Sequence, residues 1–112
     1  MERVFLLANS FNQPLNWDTS IVANMQQMFQ GALAFNQPLN WDVSSVTNML
    51  QMFYQATSFN QPLNWDTSSV INMYRVFTYA AAFNSTLNFS DTSNVTNMSD
   101  MFYYAIAFNQ PL

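Results

Sequence analysis

The chain has no cysteine, no histidine and no lysine, one glycine, and only eight charged side chains in 112 residues: Glu2, Arg3, Asp18, Asp42, Asp66, Arg75, Asp91 and Asp100. Each absence excludes a class of chemistry. Without cysteine there is no disulfide framework, and without cysteine or histidine there is neither a zinc site of those ligands nor a Cys–His nucleophile and base. Two arginines in a chain of net charge −4 do not make the basic patch that a phosphate backbone needs, so nucleic acid is not a partner. The sequence points to no enzyme and no cofactor. The longest apolar runs, Val4 to Ala8 and Met101 to Phe108, fall far short of the roughly 18 residues that span a bilayer. They are also too short, and lack the basic start, for a secretory signal.

What is present is amide and ring. There are 15 Asn and 9 Gln, 19 aromatic residues and 8 Met, and half of the chain is hydrophobic. That apolar mass excludes a solvated coil. Length allows one domain.

The chain repeats itself. FNQPLNWDTSIVANMQQMFQGALA (11–34), FNQPLNWDVSSVTNMLQMFYQATS (35–58), FNQPLNWDTSSVINMYRVFTYAAA (59–82) and FNSTLNFSDTSNVTNMSDMFYYAIA (83–107) are successive units. A partial unit (1–10) precedes them, and 108–112 begins another. MERVFLLA (1–8) shares five of eight residues with MYRVFTYA (73–80), so Met1 stands in the register of an internal motif. Residues 1–112 therefore read as one array, a piece of a longer one. Units this short cannot bury their own apolar faces and must stack on copies of themselves.

Within each unit, Phe-Asn-Gln-Pro reads as a turn, with Pro14 fixing φ and holding Gln13 extended. Leu15-Asn16-Trp17 reads as a short strand, Leu and Trp on one side and Asn on the other. Asp18-Thr19-Ser20 suits a turn or a helix start. Met25, Met28, Phe29 and Ala32 then recur at i, i+3, i+4 and i+7, predicting a two-turn helix that only stacking would stabilise. The expectation is an α/β solenoid: a right-handed coil of about 24 residues with one short strand and one short helix, stacked in parallel at roughly 4.8 Å.

Stacking turns each position into a column. Trp17, Trp41, Trp65 and Phe89 form one aromatic spine, and Phe11, Phe35, Phe59, Phe83 and Phe108 a second, as core or as an aromatic groove. Asn12/36/60/84/109, Asn16/40/64/88 and Asn24/48/72/97 are three amide columns that can bond up the stack without charge. Asn16, Asn40, Asn64 and Asn88, opposite Leu and Trp on the strand, are the candidate outward row for a ligand. Asp18, Asp42, Asp66 and Asp91 either accept N–H groups at their own turns or hold a cation such as calcium, although one carboxylate per coil supplies few of the six to eight oxygens calcium takes. A threonine plane for ice is broken, because Val43 interrupts Thr19, Thr67 and Thr92. The fourth unit carries four N-x-S/T sequons, at Asn84, Asn88, Asn94 and Asn97. Asn97 sits in an amide column, where burial argues against a glycan.

The run LNWDVSSVTNMLQMFYQATSFNQPLNWDTS (39–68) resembles the repeat of the BspA-like leucine-rich-repeat surface proteins, in the branch that reads W-D-x-S-x-V-x-N-M-x-x-M-F. Val46-Thr47-Asn48-Met49, Met52-Phe53, Ala56 and Phe59-Asn60 match it position by position, and the resemblance covers essentially the whole chain. Three units are one residue shorter between Leu and Trp than the family's form; the fourth has the longer length but reads Phe89-Ser90. The resemblance implies long secreted or surface-anchored arrays with short parallel strands, acting in adhesion and recognition where a role is known. Two functions follow as expectations. One is an extracellular or cell-surface scaffold that meets macromolecules or glycans through a regular face. The other is a structural protein that self-associates, end to end or side by side, into a filament.

Overall fold

The computed structural model describes residues 1–111. Equivalent residues of successive repeats pair in parallel. Asn24, Asn48, Asn72 and Asn97 form a row of parallel bridges, and β1 (Leu63–Trp65) pairs with β2 (Leu87–Phe89) in the register Leu63↔Leu87, Asn64↔Asn88, Trp65↔Phe89. Each repeat is thus one layer laid on the next.

The Leu-Asn-Trp segment becomes a strand only in the third and fourth repeats, and one substitution explains why. Trp41 donates its indole N–H to the Leu15 carbonyl at 3.0 Å, and Trp65 donates to the Leu39 carbonyl at 3.0 Å. Those carbonyls are bonded by a ring, not by a neighbouring strand. Phe89 has no N–H to give. Between the third and fourth repeats the backbone pairs instead, bounded by Leu63 N–H to the Thr86 carbonyl (3.0 Å) and Ser90 N–H to the Trp65 carbonyl (3.2 Å).

The expected helix is absent among the described residues. Residues 25–32, and their equivalents 49–56, 73–80 and 98–105, form a ribbon of overlapping turns. Two residues four apart in each ribbon take left-handed φ: Gln27 and Gly31, Gln51 and Gln55, Arg75 and Tyr79, Asp100 and Tyr104. Left-handed residues cannot continue a right-handed helix. The ribbon still satisfies its donors. Met28, Gln30 and Ala32 N–H bond three residues back; Met25, Gln27, Phe29 and Gly31 N–H cross at 2.8–2.9 Å to the Asn48, Leu50, Met52 and Tyr54 carbonyls of the next layer. The remaining N–H, of Gln26, bonds the Asn24 side-chain oxygen at 3.0 Å.

The physical reason is thickness. Packed helices lie about 8–10 Å apart, whereas layers joined by main-chain bonds repeat at roughly 4.8 Å. Phe29, Phe53, Phe77 and Phe102 stack with centroids 5.5–5.6 Å apart, which leaves no room for a helix in every layer. Met25, Met28, Phe29 and Ala32 are nonetheless all fully buried, so the helix-like spacing reports inward positions correctly and backbone shape wrongly.

The core is a double column of rings. Phe29–Phe35, Phe53–Phe59, Phe77–Phe83 and Phe102–Phe108 each lie 4.3 Å apart within a layer. Between layers, Phe11–Phe35–Phe59–Phe83 repeat at 6.0 Å and Phe83–Phe108 at 5.6 Å. Trp17–Trp41 lie at 6.2 Å and Trp65–Phe89 at 6.3 Å, with planes 6° and 2° apart. Such offset stacks contribute about 0.5–1.5 kcal/mol per pair beyond area burial.

Candidate functional site

Three surfaces carry the chemistry that the layers expose. The first is built by the Asp turns. Asp18 accepts Ser20 N–H (3.0 Å) and Ser20 Oγ–H (2.7 Å), and Asp42 accepts the same pair from Ser44 at 2.9 and 2.6 Å. Asp66 accepts Ser68 N–H at 3.0 Å and Asp91 accepts Ser93 N–H at 2.8 Å. The serine hydroxyl and N–H stabilise the charged form and hold all four carboxyls below the ordinary aspartate range; for Asp91 the N–H is the larger cause. Repulsion from Asp18 and Asp66 pushes Asp42 up by less than its serine pulls it down. Each acid is spoken for at its own turn. Among the described residues no three His, Cys, Asp or Glu side chains gather where they could hold a metal ion.

Beside these turns, Thr19 and Thr67 are buried, their hydroxyls donating at 2.7 Å to the Asp42 and Asp91 carbonyls. Thr92, in the same column, is exposed.

The amide columns divide by role. Asn12, Asn36, Asn60 and Asn84 each accept the N–H of the equivalent Asn one layer on, at 2.8–2.9 Å. Gln37, Gln61 and Gln110 donate into the same corners. The bond runs from amide oxygen to main chain, rather than from amide to amide as expected. In the Asn24 column each side-chain oxygen caps the N–H two residues on. Asn16, Asn40, Asn64 and Asn88 are all exposed, and Asn88 donates to Asn64 at 2.6 Å. The sequon residues Asn84, Asn88, Asn94 and Asn97 are exposed too; Asn97 is not buried by its column as expected.

The third surface was not found by reading columns, because it does not repeat. Along the turn ribbon, one column reads Gly31, Gln55, Tyr79, Tyr104 and the next reads Gln30, Tyr54, Thr78, Tyr103; Gly31 and Thr78 are buried, and Gln55, Tyr79, Tyr103 and Tyr104 are exposed. All five tyrosines of the chain and both arginines lie on this flank. Tyr79 meets Tyr54 and Tyr103 edge-on at 5.9 Å and stacks on Tyr104 at 5.3 Å. Arg75 lies 4.9 Å over the Tyr74 ring and bonds Asp100 at 3.1 Å, which holds its guanidinium firmly charged. A shallow groove runs beside Tyr79 between Leu33 and Ile106. The signal in the sequence was the confinement of every Tyr and Arg to a few non-repeating positions.

Short parallel strands, stacked rings and a surface of amide, hydroxyl and phenol define a stacked-repeat protein. The chain belongs to the family described as "Mycoplasma protein of unknown function, DUF285", which matches residues 1–64 and 40–112; this is the BspA-like repeat family that the W-D-x-S-x-V-x-N-M motif resembles. No curated protein and no solved structure matches the chain. No helix among the described residues is long and apolar enough to cross a membrane.

Proposed function

We propose that the chain is part of a right-handed solenoid acting outside the cell or on its surface as a non-catalytic adhesion and recognition scaffold. The observation that carries this reading is the row Asn16, Asn40, Asn64 and Asn88: exposed, uncharged, one per layer. A row of like amides at a constant interval suits a partner that itself repeats, so a neutral glycan polymer is the ligand class. Each amide offers two donors and an acceptor to sugar hydroxyls. The test is binding of the 112-residue chain to immobilised neutral polysaccharides, with Asn40→Ser/Asn64→Ser as the variant. Loss of two such bonds lowers affinity about tenfold or more. Full-strength binding by the double variant overturns the assignment to this row.

A second reading, a structural filament, rests on the one-way ribbon bonds. N–H groups point to the following layer and carbonyls to the preceding one, so arrays of such layers can join head to tail but not head to head. Electron microscopy that finds no fibres in concentrated solution sinks that reading. As a glycoprotein, the chain would carry its sugars at Asn84, Asn88, Asn94 or Asn97; an unmodified intact mass from the native source eliminates them.

A further inference from the structure

The turn-ribbon flank holds a chemistry that the Asn row does not. The chain has neither Cys nor Lys, so neither a disulfide nor a lysine isopeptide bond can staple one layer to the next. Phenols can. One-electron oxidation of tyrosine gives a phenoxyl radical, and two such rings held side by side join through the carbons ortho to their hydroxyls.

Four tyrosines meet on this flank, and one pair has the geometry for coupling. Tyr79 and Tyr104 occupy the same position of the third and fourth repeats, and both take left-handed φ, 59° and 53°. Equivalent backbones project their side chains the same way. The two rings accordingly lie side by side, centroids 5.3 Å apart and planes 12° apart, which sets the ortho carbons of one beside those of the other. The other pairs are crossed: Tyr79 meets Tyr54 at 85° and Tyr103 at 80°, and Tyr103 meets Tyr104 at 89°, an edge against a face each time. The two layers are also clamped, by Tyr79 N–H on the Tyr103 carbonyl at 2.8 Å and by Arg75 on Asp100 at 3.1 Å. A pair held in place reacts as though at very high concentration. Tyr79 has a layer on each side and is still 38% exposed, and the groove at Leu33, Gln55 and Ile106 opens beside both rings. The indoles of Trp41 and Trp65, which the same oxidants attack, are buried.

We propose that Tyr79 and Tyr104 are a modification site, coupled by a peroxidase-type one-electron oxidant into a dityrosine that staples the third repeat to the fourth. Each phenol gives up one electron and its hydroxyl proton. A carbon–carbon bond then forms between one Cε of each ring. The hydrogen on each joined carbon leaves as a proton and each oxygen regains one through water, which restores both aromatic rings. Two electrons and two protons are lost in all, and one hydrogen peroxide takes them up to become two water molecules. The exposed rings reach the bonding position by side-chain rotation. The bond ties residues 79–104 into a covalent loop and restricts the unfolded chain as a disulfide does. The inference goes beyond the adhesion reading and does not rest on it, since the Asn row takes no part.

The test is treatment of the 112-residue chain, dilute enough that copies seldom meet, with a haem peroxidase and limiting hydrogen peroxide. The expected product is a single chain lighter by two hydrogen atoms and showing dityrosine fluorescence. Cleavage on the N-terminal side of Asp91 and Asp100 leaves Tyr79 and Tyr104 on separate peptides, which should stay joined. Tyr104→Phe should lower the yield at least tenfold and Tyr103→Phe should leave it unchanged, with circular dichroism showing that both variants fold. In urea, the unfolding constant of the stapled chain should fall on the order of a hundredfold. Coupling that survives Tyr104→Phe overturns the proposal, and so do cross-links found only between chains. Oxidation with no coupled product, coupling as efficient in the urea-unfolded chain, or a stapled chain no more stable than the free one overturns it equally.

Discussion

The two long surfaces of the stack obey opposite rules. Along the Asn and Asp columns every layer says the same thing; along the turn-ribbon flank most positions change from one layer to the next. The difference follows from what stacking demands. A side chain that bonds its equivalent one layer up, as Asn36 N–H does to Asn12, or that stacks ring on ring, as Phe53 does on Phe29, must be copied for the next layer to fit. Along the ribbon the main-chain N–H and C=O groups already join the layers, so unlike side chains can meet there, as Arg75 and Asp100 do. Identity is enforced where side chains join the layers and relaxed where the main chain does.

The contrast can be broken first in the core. Phe53 is fully buried and stacks against Phe29, Phe59 and Phe77. Phe53→Ala is expected to cost about 3–5 kcal/mol in urea unfolding, whereas Tyr79→Asn on the flank should cost under about 1 kcal/mol. Similar losses from both would erase the distinction between copied and free positions.

A smaller effect separates equivalent tryptophans. Trp41→Phe removes the indole N–H from the buried Leu15 carbonyl and should cost about 1–3 kcal/mol. If the layers then pair as β1 and β2 do, amide exchange slows at the newly paired backbone and part of that loss is recovered. A stability unchanged by Trp41→Phe would mean the indole bond contributes nothing.

The smallest effect is electrostatic. Asp18, Asp42, Asp66 and Asp91 titrate lower in the folded chain than in the unfolded one, so their stabilisation is complete above about pH 3.9 and is lost as pH falls through the lower folded values. Acid unfolding followed by circular dichroism should begin below that value. Ser20→Ala/Ser44→Ala should make the acid side of the profile shallower; an unaltered profile would show that the serines do not hold the charge.

Much of this was legible in the residues. The 24-residue period, the inward set Met25, Met28, Phe29, Ala32 and the aromatic spines all follow from repetition and hydrophobic spacing. The ribbon did not, because i, i+3, i+4, i+7 marks a face and is silent on φ. Gly31 was the one local hint: a glycine in the last turn of a supposed helix, at a position where the chain turns left-handed. The Tyr and Arg flank was missed because a search for columns discards whatever does not recur. The exchange of an indole bond for strand pairing at Phe89 needed the distances themselves.

The ribbon's one-way hydrogen bonds have an electrical consequence. Four N–H groups in each complete ribbon, such as those of Met25, Gln27, Phe29 and Gly31, point to the next layer, while Thr47 N–H returns in the opposite sense to Ala23. Aligned peptide dipoles add head to tail, as they do along an α-helix. Here the axis of addition runs across the chain, layer upon layer. Every repeat added to such an array lengthens a single macroscopic dipole, built from a backbone whose side chains are almost uncharged.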